Sequence, residues 1–293
     1  MMHIRVLIAL VFTLSLIAPA AARAEAPERI VSIGGAVTEI VYLLGGGGAL
    51  AAVDSTSLYP AAARTLPDVG YMRQLAAEPI LALRPTLVLA VQDSGPPAVL
   101  DQLRAAGVRL VVVPDPPSID GVLQKIAVVA EAIGRRDEGE RLRATLASQL
   151  RTLSAAVAEA AERPSVLFLL SIGRGAPLAA GRETAADGII ALAGGRNAVD
   201  GFVGYKPLSA EATVAAAPDV ILLTAQGLEA LGGEAGLLQL PDIAQTPAAR
   251  NGRIFAFDGL LLLGFGPRTG TAIRQLAERL HPSLHLPADT AAP

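Results

Sequence analysis

"DEGERLRATLASQLRTLSAAVAEAAER", Asp137 to Arg163, is rich in Ala, Leu, Glu and Arg and holds no Gly or Pro after Gly139. These residues lose little side-chain freedom in a helix, and the leucines recur at helical spacing. The stretch therefore predicts one long helix, which at 1.5 Å per residue spans roughly 35 Å. Short β-rich runs lie before it: "RIVSI" (Arg29–Ile33), "LVLAV" (Leu87–Val91) and "RLVVVP" (Arg109–Pro114). The pattern restarts after it with "SVLFLLS" (Ser165–Ser171), "DVILLT" (Asp219–Thr224) and "RIFAFD" (Arg253–Asp258). Strands alternating with helical patterns predict an α/β chain with largely parallel sheets. The long helix, placed at 135–163, joins an N-terminal lobe (25–134) to a C-terminal lobe (164–293). An ordinary surface helix within one domain is the alternative, and the restarted strand pattern argues against it.

The chain has 293 residues, 52% of them hydrophobic, and a formal net charge of −3. That is enough for two lobes of about 100–150 residues with a core each. The charge gives no footprint for nucleic acid. At the N-terminus, His3 and Arg5 precede an apolar run from Val6 to Ala18, followed by Pro19 and Ala22-Arg23-Ala24. This is the layout of a secretory signal, residues 1–24, with cleavage after Ala24 and export of the product. The run is short of the roughly 20 residues a spanning helix needs, and no later segment reads as a span, so stable membrane insertion of the mature chain is not expected. An uncleaved anchor is the alternative.

A partial internal repeat supports matching lobes. Gly70-Tyr71 is followed by "LAAE" ending at Glu78, then Pro85 and a strand. Gly204-Tyr205 is followed by "LSAE" ending at Glu211, then Pro218 and a strand. Each copy reads as a loop, a short helix begun near the glutamate, and a buried strand after the proline, which closes the helix.

Few reactions are open to this composition. There is no cysteine, so thiolate chemistry and disulfides are excluded, and the only histidines are His3, His281 and His285, outside the region between the lobes. A histidine-based triad or clustered-histidine zinc site has no donors there. "GGGG" (Gly45–Gly48) follows the apolar pattern Val37-Ile40-Val41-Leu44. It reads as a helix end rather than as a phosphate loop, which would open a helix.

The stretches "RIVSIGGAVTEIVYLLG" (Arg29–Gly45), "LPDVGYMRQLAAEPILALRPTLVLA" (Leu66–Ala90), "GYKPLSAEATVAAAPDVILL" (Gly204–Leu223), "GLEALGG" (Gly227–Gly233) and "GPRTG" (Gly266–Gly270) carry a resemblance. Together they resemble the haem-binding periplasmic component of bacterial haem ABC importers, in the helix-backbone class that also serves siderophores and cobalamin. The resemblance implies a ligand cleft between the lobes and docking, as a monomer, onto a dimeric permease with ATPase subunits. It implies that Tyr71 is the axial ligand to ferric haem, the transported ligand, since a hard Fe(III) favours an anionic phenolate. Because a phenol ordinarily ionises near pH 10, a neighbouring donor must favour the phenolate. Arg73 is the nearest candidate and Gln226, from the other lobe, the second. Glu78 and Glu211 resemble the paired glutamates that this class presents, one per lobe, to permease arginines.

Around this ligand, Arg174 and Arg182 are candidates for the propionates, Tyr205 for the cleft wall, and the amides of Gly34, Gly35 and Ala36 for an anion site at a helix start. Where some relatives carry a histidine after the first strand of the second lobe, this chain has Ile172. That departure implies one five-coordinate haem. A siderophore or cobalamin carrier of the same class stays open, although there is no Trp and only four Tyr and six Phe to line such a site. A secreted α/β enzyme is the more distant reading, as no converging carboxylate pair is evident.

Overall fold

The computed structural model describes residues 28–170 and 178–287. The signal segment, Ile172 and Arg174 lie outside the described residues. The first lobe runs β1 (Ile30–Ile33), α1 (Gly35–Leu43), β2 (Leu50–Val53), α2 (Ala77–Ala82), β3 (Leu87–Val91), α3 (Pro97–Ala105), β4 (Arg109–Val113) and α4 (Ile119–Ala132). Its sheet has the order β2-β1-β3-β4 and is parallel throughout. All four residues of β1 and all five of β3 are buried, as expected of parallel strands covered on both faces.

The helix expected in the middle is α5 (Arg136–Ala158). Leu142, Leu146, Leu150, Leu153 and Val157 bury one stripe of it, and Arg–Glu pairs such as Arg143–Glu140 line its outer face. It stops short of Arg163 because the chain must turn ahead of Pro164 to enter the next strand. Gly134, at φ +69°, makes the turn from α4 into α5. Gly139 lets the two helices touch, since a Cβ there would lie 2.3 Å from the Ala130 Cβ.

The second lobe runs β5 (Ser165–Leu170), β6 (Leu178–Ala180), α6 (Ala185–Leu192), β7 (Arg196–Asn197), β8 (Tyr205–Pro207), α7 (Ala210–Ala216) and β9 (Val220–Thr224). It continues through α8 (Ala225–Ala230), α9 (Gly233–Leu237), α10 (Pro241–Ala244), α11 (Pro247–Arg250), β10 (Ile254–Phe257), α12 (Gly259–Leu263) and α13 (Thr269–Leu280). Here β10, β9 and β5 are parallel, whereas β6 and β8 extend the sheet antiparallel. The repeat noted in the sequence is present: α2 and α7 each precede a buried strand, and Gly70 and Gly204 both take positive φ, +97° and +79°.

One expectation is corrected. The lobes do not have a core each. A single cluster of buried apolar side chains runs from Ile30 and Leu89 of the first sheet, through Val129 and Leu150 of α4 and α5, to Phe168, Ile190 and Leu276 of the second lobe. Only the far face of the second sheet, with Leu167, Ile221 and Leu237, packs separately. The cause is α13, which lies against both α5 and α6 and closes the seam behind the cleft.

Candidate functional site

In open parallel sheets, ligand-binding groups gather in the loops beyond the carboxyl ends of the strands. Tyr71 stands in the loop that leaves β2, and burial sets its direction. Met72 and Leu75 point into the core, which turns Tyr71 and Arg73 outward together. Tyr71 is 40% exposed. A turn closes on it through the Gln74 amide, which donates to the Tyr71 carbonyl at 2.8 Å. The loop is then tied to the segment after β3: the Gly95 amide donates to the Met72 carbonyl and the Leu75 amide to the Gly95 carbonyl, both at 2.9 Å.

Arg73 Nη1 donates to the Tyr71 hydroxyl oxygen at 2.9 Å, while Nη2 reaches Asp93 Oδ2 at 3.4 Å. Burial alone would lower the guanidinium pKa, but Tyr71 and Asp93 together raise it. The same positive charge reaches Tyr205 across the cleft. Burial pushes the Tyr205 phenol up, and the Ala186 amide, the Thr184 hydroxyl and Arg73 counter in part. Tyr205 also packs edge-on against Phe168, ring centroids 6.4 Å apart.

The remaining predicted residues fall into two groups. Glu78 and Glu211 are both exposed in the first turns of α2 and α7. Glu211 is held below the usual carboxylate range by its own backbone amide, then by the Ser209 hydroxyl. Gln226 is exposed at the start of α8, its side-chain oxygen near Gly259 of α12. The helix-start amides are already engaged: Gly34 donates to Asp54 Oδ1 at 2.9 Å and Gly35 to Thr56 Oγ1 at 3.0 Å. Gly35 is also buried beneath Leu260, so neither amide is free to take an anion. Arg182 gives a guanidinium N–H to the Asp200 carbonyl at 3.0 Å, and so serves its own loop.

Sequence reasoning missed the groups that join the lobes. Lys125, fully buried on α4, donates to Asp115 Oδ1 at 2.5 Å and to the carbonyls of Gly264 and Phe265 at 3.1 and 3.0 Å. Burial pushes the Asp115 carboxyl up, with Lys125 opposing, and its charge also feels Asp93 and Arg73. In the reverse direction, Arg268 at the start of α13 binds Glu39 of α1, with Nε and Nη2 both 3.0 Å from Oε2. Its guanidinium also lies over the Tyr59 ring, 3.7 Å from the centroid. The available signal was a charge on an apolar stripe: Lys125 falls between Val122, Ile126 and Val129, and Glu39 between Val37, Ile40 and Val41.

Among the described residues no cluster of three or more His, Cys, Asp or Glu is arranged for a metal ion. No described helix is long and apolar enough to cross a membrane. What the cleft offers is one exposed phenol with a charged donor fixed to its oxygen.

Comparison with known proteins gives the setting. The periplasmic heme-binding protein RhuT of Roseiflexus sp. RS-1, in apo form, is 46% identical with a TM-score of 0.85, covering 89% of this chain and 100% of that one. The periplasmic heme-binding protein BhuT, in complex with two hemes, is 43% identical with a TM-score of 0.83, covering 88% and 99%. Among curated proteins, the uncharacterized ABC transporter substrate-binding lipoprotein YvrC of Bacillus subtilis is 26% identical over 87% of this chain and 81% of its own length. The vitamin B12-binding protein of Yersinia pestis is 29% identical over 69% and 71%. The periplasmic binding protein family model matches residues 30–259. This chain belongs to that family, and is a substrate-binding component of ABC import rather than an enzyme.

Proposed function

We propose that the protein captures ferric haem in the periplasm through a tyrosinate bond from Tyr71 and delivers it to an ABC permease. The observation that carries this reading is the Tyr71 hydroxyl, exposed at the cleft with Arg73 Nη1 at 2.9 Å. The solved structures at 46% and 43% identity, both of heme-binding proteins, support it. As the Fe–O bond forms, the phenol proton passes to solvent, and the Arg73 guanidinium stabilises the negative oxygen that remains. A charge-assisted hydrogen bond of this kind contributes about 1.5–3 kcal/mol. Tyr205, half-buried and backed edge-on by the buried Phe168, supplies apolar wall on the facing lobe, and Gln226 and Arg174 remain candidates for polar contacts to the ligand.

One five-coordinate haem is bound, with no histidine ligand, because Ile172 offers no donor. The two hemes of BhuT make this stoichiometry a real test. The chain is exported with cleavage after Ala24 and acts as a monomer of two lobes, 25–134 and 164–293, on the connecting segment 135–163. Glu78 and Glu211, each exposed at a helix start on its own lobe, fix its orientation on a dimeric permease, and charge complementarity there governs specificity and association rate.

The B12-binding relative favours cobalamin as a second reading. Parallel titrations with ferric haem and cobalamin decide between them. The haem reading requires a Soret band with high-spin ferric tyrosinate features at one haem per chain, lost in Tyr71→Ala. Cobalamin binding that survives Tyr71→Ala, with no haem spectrum, would overturn it.

A further inference from the structure

We infer that Asp93 is a positioning residue for the iron ligand, acting on Tyr71 through Arg73. The inference rests on the tyrosinate reading above and extends it to a residue that never touches the ligand. Arg73 is a long side chain, more than half exposed, with many rotamers to lose. One hydrogen bond to Tyr71 leaves the plane of its guanidinium undetermined. A second partner on the other terminal nitrogen fixes that plane, and Asp93 Oδ2, 3.4 Å from Nη2, is that partner.

The backbone shows that this arrangement is built. Asp93 belongs to the turn after β3 in which the Ser94 amide donates to the Val91 carbonyl. That turn is joined to the Tyr71 loop by the two bonds between Gly95 and residues 72 and 75. Tyr71, Arg73 and Asp93 therefore stand on two loops fastened as one platform, with Met72 and Leu75 buried beneath it.

An ion pair with side chains 54% and 64% exposed contributes little to stability, so its effect lies in orientation. Asp115 lies within electrostatic reach of both Arg73 and Asp93, and Lys125 holds Asp115 in turn. The guanidinium is thus held between two partners, Tyr71 on Nη1 and Asp93 on Nη2.

The test is a double-mutant cycle on the exported protein loaded with ferric haem. Two quantities are read: the rate of haem loss to an apoprotein acceptor and the Fe–O(phenolate) stretch in resonance Raman spectra. Asp93→Ala is expected to speed haem loss about two- to fivefold, the range of an exposed pair. It should move the Fe–O stretch in the same direction as Arg73→Ala, and Asp93→Asn, which keeps an acceptor, should restore most of both. In the Arg73→Ala background, Asp93→Ala should change neither. Equal effects in both backgrounds, or no effect in the wild type, overturn the inference. Tyr71→Phe is the control that separates the two proposals: if it keeps the wild-type spectrum, the tyrosinate reading itself fails.

Discussion

Replacing Arg268 by alanine should destabilise the protein strongly at neutral pH and much less in mild acid. Glu39 is 2% exposed, and Oε2 receives both Arg268 nitrogens at 3.0 Å while Oε1 has no hydrogen-bond partner. Removing the arginine leaves a buried carboxylate without its counter-charge, a loss of about 3–5 kcal/mol. Of this, about 0.5–1 kcal/mol belongs to stacking on Tyr59 and does not depend on pH. The remainder does. Burial already pushes the Glu39 carboxyl above its ordinary 4.5, with Arg268 first and then Lys125 pulling it down.

Without Arg268 the upward shift grows. Between 4.5, the unfolded value, and the raised folded value, the native state holds a proton that the unfolded state has lost. Stability in that window falls as pH rises, by about 1.4 kcal/mol per pH unit, and is regained as pH falls. Urea unfolding of the wild type and Arg268→Ala from pH 5 to 8 reads this directly. The gap between them should be widest at pH 8 and narrow toward pH 5, and Glu39→Gln combined with Arg268→Ala should remove the pH dependence. A gap that stays constant across the range would refute the reasoning.

Three other outcomes follow from the same contacts. Gly139→Val drives a side chain into Ala130 across the α4–α5 contact and should cost about 1–3 kcal/mol, partly restored by Ala130→Gly and read by thermal unfolding. Lys125→Met leaves Asp115 and the Gly264 and Phe265 carbonyls without their donor. It should widen the distribution of interlobe distances between two cysteines added at exposed sites for fluorescent labelling, which the cysteine-free chain makes simple. Glu78→Ala with Glu211→Ala should leave haem titration unchanged while abolishing stimulation of the permease ATPase, and full stimulation by the double variant would remove the docking role.

The parts of this fold that depend on local pattern were legible. Each of the six strand runs quoted from the sequence forms a strand, and the helix begun near Glu78 and its copy near Glu211 are α2 and α7. What depends on distant pairing was not. Arg268 and Glu39 are 229 positions apart, and Lys125 lies 139 and 140 positions from the carbonyls it binds. No spacing rule reaches that far, and only the anomaly of a charge on an apolar face announced them. The antiparallel strands β6 and β8 escaped because each has three residues, too few for alternation to register. At the cleft, Tyr71 and Arg73 were visible as neighbours, whereas Asp93, 20 residues from Arg73, became visible only once the backbone bonds at Gly95 set its loop beside theirs.

The apolar cluster that runs unbroken from Ile30 to Leu280 bears on how such a protein acquires a new cargo. Exchanging a whole lobe with a relative would tear a seam whose two sides were shaped against each other, and the hybrid would lose packing before it gained a ligand. Diversification is therefore steered to the exposed positions of the rim, such as Tyr71, Arg73, Gln74, Gln92 and Asp93, which stand outside that cluster. The two halves look like separate inheritances, but they can only be passed on together.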